Sequence, residues 1–118
     1  MTVSIEQTVA TLRKRAAQAS AARAAQAAVT RDRLFAAVAA HLAQHTEAWL
    51  IGSLAWGGFG EHSDIDVVVR GASPTEATRL ELALVRGVGW PIDVLRFEEL
   101  PDSFATRVEQ EGIVLHGQ

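Results

Sequence analysis

The segment from residue 48 to residue 70, AWLIGSLAWGGFGEHSDIDVVVR, constrains the fold more than any other part of the chain. Its two apolar runs, residues 48–51 and 65–69, have the length and composition of buried strands. The glycines between them indicate a loop rather than a helix. Asp64 and Asp66 stand at the start of the second run, and residues two apart on a strand point to the same face. The segment therefore predicts two strands joined by a glycine-rich loop, with two carboxylates placed to share a cation.

Length and composition limit what else the chain can contain. A chain of 118 residues with 48% hydrophobic residues can bury one core and form a single domain. It has no cysteine, which excludes disulfides and thiolate metal sites. No apolar run approaches the ~18 residues of a membrane span, and no signal-peptide pattern opens the chain. We therefore expect a cytoplasmic protein that does not associate with membranes.

The amino-terminal third of the chain predicts helix. No glycine or proline occurs over residues 4–44, and alanine, the best helix former, dominates. A single helix of that length would be about 60 Å long, which exceeds the size of such a domain. The sequence Thr-Arg-Asp that begins at Thr30 matches an N-cap pattern. We therefore predict two helices, over residues 4–28 and 31–45.

The two predicted helices differ in character. The second has core residues at helical spacing, namely Leu34, Phe35, Val38 and Leu42. The first has a narrow apolar seam and a local charge of +3 in a chain whose net charge is -3. Its basic residues either form a solvated face or meet an acidic partner or RNA. We divide the chain into a helical extension, residues 1–29, and a domain, residues 30–118. The seam consists of Ile5, Val9, Leu12, Ala16 and Ala19.

Helix and strand signals alternate in the rest of the chain. Ser73 and Glu76 form a capping box, and Gly87 and Gly89 are typical of a helix end. The predicted fold class is α/β: a small mixed β-sheet with helices packed mainly on one side. The elements predicted after the second strand are a helix over residues 74–86, a strand over 90–97, a helix over 102–111 and a strand over 113–115.

One carboxylate lies within an apolar strand. Asp93 interrupts the strand predicted over residues 90–97. Burying a carboxylate without a partner is costly, so this side chain needs a cation or hydrogen-bond donors nearby. A structural aspartate bonded to backbone amides is the alternative.

A Gly-Ser pair at Gly52, followed after ten residues by Asp-Ile-Asp at Asp64 to Asp66, resembles a known signature. It is that of the polymerase-β-like nucleotidyltransferase superfamily, and most closely of its minimal nucleotidyltransferases of the antitoxin type. Members have a third metal-binding carboxylate on a downstream strand, and Asp93 fits that position. The resemblance covers roughly residues 31–117. It implies the polymerase-β-like fold, with the first helix as an addition.

The resemblance also implies roles for individual residues. Asp64, Asp66 and Asp93 would bind two Mg²⁺ ions and support catalysis, with Asp93 as a metal ligand or general base. Gly52 and Ser53 would open a short helix that binds the outer phosphates of ATP or another nucleoside triphosphate. Together with Asp64 and Asp66 they would form the nucleotide site.

One position departs from the family pattern. Many relatives have an arginine where this chain has Trp56, so a basic contact to the triphosphate is replaced by an indole. The indole would either stack on a base or pack against the protein.

The implied function is transfer of a nucleoside monophosphate, in the first place AMP from ATP, to a macromolecular acceptor. Minimal relatives often serve as antitoxins that pair with an all-helical HEPN toxin and adenylylate it. Such a toxin is therefore the expected partner, and self-association or RNA binding would involve the basic first helix. Two alternatives stay open. One is a non-catalytic antitoxin that masks its partner, and the other is a small-molecule (antibiotic-type) transferase that acts as an oligomer.

Overall fold

A computed structural model describes residues 4–117 of the chain. It contains one mixed sheet with helices on both faces, in agreement with the α/β class predicted above. The order of the elements is α1 (Ile5–His41), β1 (Glu47–Ile51), α2 (Ser53–Trp56), β2 (Ile65–Arg70), α3 (Pro74–Val88), β3 (Ile92–Arg96), a 3₁₀ turn (Phe97–Glu99), α4 (Asp102–Glu111) and β4 (Ile113–His116).

The sheet has the strand order β3-β2-β1-β4. β1 is antiparallel to both β2 and β4, whereas β2 and β3 run parallel and are connected by α3. α3 begins with the predicted capping box and ends at Gly89, which adopts a left-handed conformation. Gly87 does not end the helix as predicted but lies inside it. A Cβ at this position would lie 3.2 Å from Cβ of Ala37, so Gly87 permits close approach of α1 and α3.

The prediction of two amino-terminal helices is wrong, because α1 is continuous over its 37 residues. Thr30 does not cap a new helix. Its hydroxyl donates a hydrogen bond of 2.7 Å to the carbonyl of Gln26 one turn earlier, and its side chain is buried. The helix crosses the proposed boundary at residue 29 without a break, so the division into two parts stays a prediction. α1 accounts for much of the molecule's longest dimension of 66 Å.

The main core lies between the sheet and the two long helices, α1 and α3. Leu34 and Val38 of α1 are fully buried there, as predicted, and so is Leu84 of α3. Phe35 is not a core residue, since 39% of it is exposed. On a continuous helix the neighbour of Leu34 points about 100° away from the buried face, which explains the error.

A smaller apolar cluster covers part of the opposite face of the sheet. Trp49, Val68 and Val108 of α4 are buried in it. The Arg70 guanidinium lies over the rings of Trp49 and Phe97, at 5.1 and 4.8 Å from their centroids. In residues 4–117, none of the helices is both long and apolar enough to span a bilayer.

Candidate active site

Two of the predicted site residues face each other across neighbouring strands. Asp66 on β2 and Asp93 on β3 are paired in the parallel register. Their neighbours Val67 and Ile92 are buried in the main core, so the carboxylates point to the opposite face, on the side of α4. Asp64 lies just before β2 and is exposed, as is Asp93, whereas Asp66 is half-buried.

The three carboxylates are close enough to affect one another. Burial in the first place, and then the charges of Asp93 and Asp64, raise the pKa of the Asp66 carboxyl above its ordinary value. Negative charge is therefore concentrated where β2 and β3 begin. We call this group of Asp64, Asp66 and Asp93 the carboxylate edge. A bound cation would relieve that repulsion.

Hard carboxylate oxygens are the ligands that Mg²⁺ prefers, so Asp64, Asp66 and Asp93 fit this ion by donor type and by charge. Within the described residues, however, no three His, Cys, Asp or Glu side chains are grouped so that they could hold one ion together. This arrangement fits an ion held by one or two carboxylates, with phosphate and water as its other ligands, which is usual for Mg²⁺.

Gly52 adopts a backbone conformation that other residues avoid. Its φ of 77° and ψ of -158° lie in a region that is essentially restricted to glycine. A Cβ at this position would lie only 2.9 Å from Oδ2 of Asp66. Gly52 therefore lets the chain turn directly beside the central carboxylate, and Ser53 follows at the start of the one-turn helix α2.

The glycine-rich loop is fixed to the start of β3. The indole of Trp90 donates a hydrogen bond of 2.6 Å to the carbonyl of Ser63, and its ring packs against Phe59. The amide of Ile65 donates to the carbonyl of Pro91. These contacts hold the segment that presents Asp64.

Trp56 packs against α4. Its indole donates a hydrogen bond of 2.9 Å to the carbonyl of Glu111, and the Arg107 guanidinium lies 4.4 Å from the ring centroid. Of the two roles considered for this residue, the structure shows packing. Sequence reasoning missed Arg107, because nothing in the chain links it to a loop 50 residues earlier.

Sequence reasoning also missed two arginines of α1. Arg23 and Arg31 line a groove together with Ser53. The uninterrupted helical composition from residue 4 to residue 44 was the signal for this placement, but the break predicted near Thr30 separated the two arginines.

Comparison with known proteins shows the family to which this fold belongs. A family model described as a nucleotidyltransferase domain matches residues 32–116. The chain therefore belongs to the nucleotidyltransferase-domain family. A comparison with curated protein sequences found no match.

Solved structures of similar fold include toxin–antitoxin proteins. A structure described as a toxin–antitoxin with AMP-PNP matches with 19% identity and a TM-score of 0.61, over 74% of this chain and 73% of that one. A minimal nucleotidyltransferase matches with 29% identity and a TM-score of 0.55, over 70% and 86%. A complex of the tri-AMPylated Shewanella oneidensis HEPN toxin with MNT antitoxin matches with 17% identity and a TM-score of 0.53, over 78% and 73%.

Proposed function

We propose that this protein transfers a nucleoside monophosphate, in the first place AMP from ATP, to a macromolecular acceptor in a metal-dependent reaction. The observation that carries the proposal is the pairing of Asp66 with Asp93 directly beside the glycine turn at Gly52. Membership of the nucleotidyltransferase-domain family supports the reaction class.

In this reaction an acceptor oxygen attacks the α-phosphate, a new P–O bond forms, and the P–O bond to pyrophosphate breaks. Asp64 and Asp66 would hold Mg²⁺, which would offset the negative charge that develops on the attacking and leaving oxygens. Asp93 would bind a second ion or accept the proton of the acceptor. Gly52 would allow the phosphates to approach the backbone, and the Ser53 hydroxyl would donate a hydrogen bond to a phosphate oxygen.

The similar structures suggest which acceptor to test. They include a tri-AMPylated HEPN toxin in complex with MNT antitoxin. We propose that this chain is likewise the antitoxin of a HEPN/MNT pair and that its toxin is the acceptor. The exposure of Asp64 and Asp93 supports a bulky acceptor, since both carboxylates can be approached from solvent.

The first part of α1, residues 5–18, is a candidate surface for that partner. It exposes the apolar side chains of Ile5 and Leu12, and its positive charges are clustered at Arg13, Lys14 and Arg15. A helix that buries no face on its own domain gains stability by packing on another surface. We propose that this surface is partly acidic and that the contact is weakened by salt.

Two ATP preparations test the reaction class. The tagged protein and its co-purified partner are incubated with Mg²⁺ and ATP labelled at either the α- or the γ-phosphate. We expect the α-label, and not the γ-label, in the acceptor, and the mass of the acceptor identifies it. Label from the γ-position would indicate phosphoryl transfer instead. No transfer from any nucleoside triphosphate would favour a binding antitoxin that only masks its partner.

A further inference from the structure

A groove of about 420 Å³ separates α1 from the loop that follows β1. The loop side includes Ser53 and the backbone of Gly57 and Gly58. On the helix side, Arg23 and Arg31 line the groove. The groove therefore adjoins the residue that follows the glycine turn at the carboxylate edge.

The groove is positively charged, although the chain as a whole has a net charge of -3. Two arginines line it, and none of its lining residues is acidic. Within residues 4–117 neither Arg23 nor Arg31 forms an ion pair, whereas Arg70, Arg96 and Arg107 are paired with glutamates. The two guanidinium groups are thus available to an anion.

The loop itself supplies no positive charge for a triphosphate. Neither lysine nor arginine occurs over residues 47–69, which include Gly52, Ser53 and the whole glycine-rich segment. The Arg107 guanidinium, which lies over the Trp56 ring, is already paired with Glu111. A nucleoside triphosphate has several negative charges, and Mg²⁺ at the carboxylates would offset only part of them. Cationic side chains from elsewhere in the fold would therefore strengthen its binding.

We propose that Arg23 and Arg31 of α1 bind the β- and γ-phosphates of the nucleoside triphosphate held at Ser53. Eight residues separate them, about 12 Å along the helix axis, so their long side chains can reach a polyphosphate from two sides. The planar guanidinium group is suited to paired hydrogen bonds with phosphate oxygens. This inference rests on the proposed function, because it assigns the contacts of the same nucleotide.

The inference gives α1 a second role. The family model begins at residue 32, and both arginines precede it. α1 would therefore complete the nucleotide site with residues from outside the shared domain. This role requires α1 to be continuous past Thr30, because a break there would move Arg23 away from the groove.

Calorimetric titration with ATP and with AMP, in the presence of Mg²⁺, tests the assignment. Arg23→Gln and Arg31→Gln are each expected to weaken ATP binding about tenfold or more, as for loss of a hydrogen bond to a charged group. Their AMP affinity should change much less, since AMP lacks the outer phosphates. Arg33→Gln is the matched control, because Arg33 is an exposed arginine of the same helix that does not line the groove.

The outcomes separate this inference from the proposed function. If the wild-type protein binds neither ATP nor any other nucleoside triphosphate, the proposed function fails. If it does bind ATP but Arg23→Gln binds as tightly as Arg33→Gln, only the arginine assignment fails. The assignment would also be overturned if Arg23→Gln and Arg31→Gln lost ATP and AMP affinity equally. It would likewise be overturned if they bound ATP normally and lost only their association with RNA or protein. Arg31 is partly buried, so should Arg31→Gln lower the melting temperature, Arg23→Glu at an exposed position gives the decisive comparison.

Discussion

The two faces of the sheet differ in how completely other elements cover them. The face towards α1 and α3 is apolar and closed, with Leu50, Val67 and Val69 fully buried. The opposite face is covered over only part of its area, by α4 and the cluster around Trp49. Where that cover ends, the strands present carboxylates instead of apolar side chains.

Strand alternation makes this division possible within a single element. On β2, Val67 and Val69 point into the main core, whereas Asp66 and Val68 point to the other face. Val68 lies under α4 and is buried, and Asp66, two residues earlier, is only half-buried. Stability and the proposed chemistry therefore fall to different side chains of one strand, and substitutions should separate them.

The largest expected effect on stability is on the closed face. Leu84→Ala should lower the free energy of unfolding by about 2–5 kcal/mol, because Leu84 is fully buried and its loss leaves a cavity. Leu95→Ala is the matched substitution on β3, where the side chain is 38% exposed, and should cost about 1 kcal/mol or less. Denaturant unfolding measures both. Similar losses for the two variants would show that the faces do not differ in the way described.

A smaller effect on stability is expected at Gly52, where the backbone after β1 lies beside the carboxylate of Asp66. Gly52→Ala should destabilise the protein by about 1–3 kcal/mol, because the conformation at Gly52 is strained for any other residue. It should also weaken ATP binding, since its Cβ would crowd Asp66. Gly60→Ala is the control, because a Cβ there meets nothing within 4 Å. Equal ATP affinity in Gly52→Ala and wild type would count against the loop as a phosphate site.

The contribution of Asp66 to the free energy of unfolding should depend on pH. Because the pKa of Asp66 is raised in the folded protein, that state binds the proton more tightly than the unfolded chain does. The charged carboxylate therefore lowers stability as the pH rises through the interval between the two pKa values. Asp66→Asn should be more stable than wild type at pH 7, and its advantage should shrink as the pH falls towards 3.8, the ordinary pKa value. Unfolding curves between pH 7 and pH 4 would show whether the advantage shrinks or instead stays constant.

The smallest effect on stability is expected from the exposed part of α1. Deleting residues 1–18 should leave the melting temperature and ATP affinity unchanged, because the described residues of this part are exposed and lie before the groove at Ser53. Association with the partner should be lost. A lower melting temperature would place this part of α1 within the core, and unchanged association would remove its proposed role.

The strands and carboxylates could be predicted because local pattern determines them. Apolar runs define β1 and β2, and the two-residue period places Asp66 on the face opposite the main core, with Asp64 one residue before the strand begins. The continuity of α1 could not be predicted in this way. The Thr-Arg-Asp pattern at Thr30 also suits a helix interior, where the threonine hydroxyl bonds to the carbonyl one turn earlier.

Contacts between distant parts of the chain were also beyond the sequence. Gly87 was expected to end a helix, but it marks the close approach of α3 to Ala37. The packing of Trp56 against Arg107 depends on where α4 lies on the sheet. The groove between Arg23 and Ser53 depends on the path of α1 past the loop. Each is a tertiary relationship between segments that have no shared local pattern.

The central claim is that the carboxylate edge at Asp66 is the active site, and one substitution tests it most directly. Asp66→Asn keeps the volume of the side chain but removes the negative charge that would hold Mg²⁺. Transfer of the α-label from ATP should fall by at least about a hundredfold, with the fold retained, because even indirect partners of a metal contribute 10- to 100-fold. Asp102→Asn, at an exposed carboxylate on α4, should transfer at the wild-type rate. A folded Asp66→Asn variant that transfers label as fast as wild type would contradict the account.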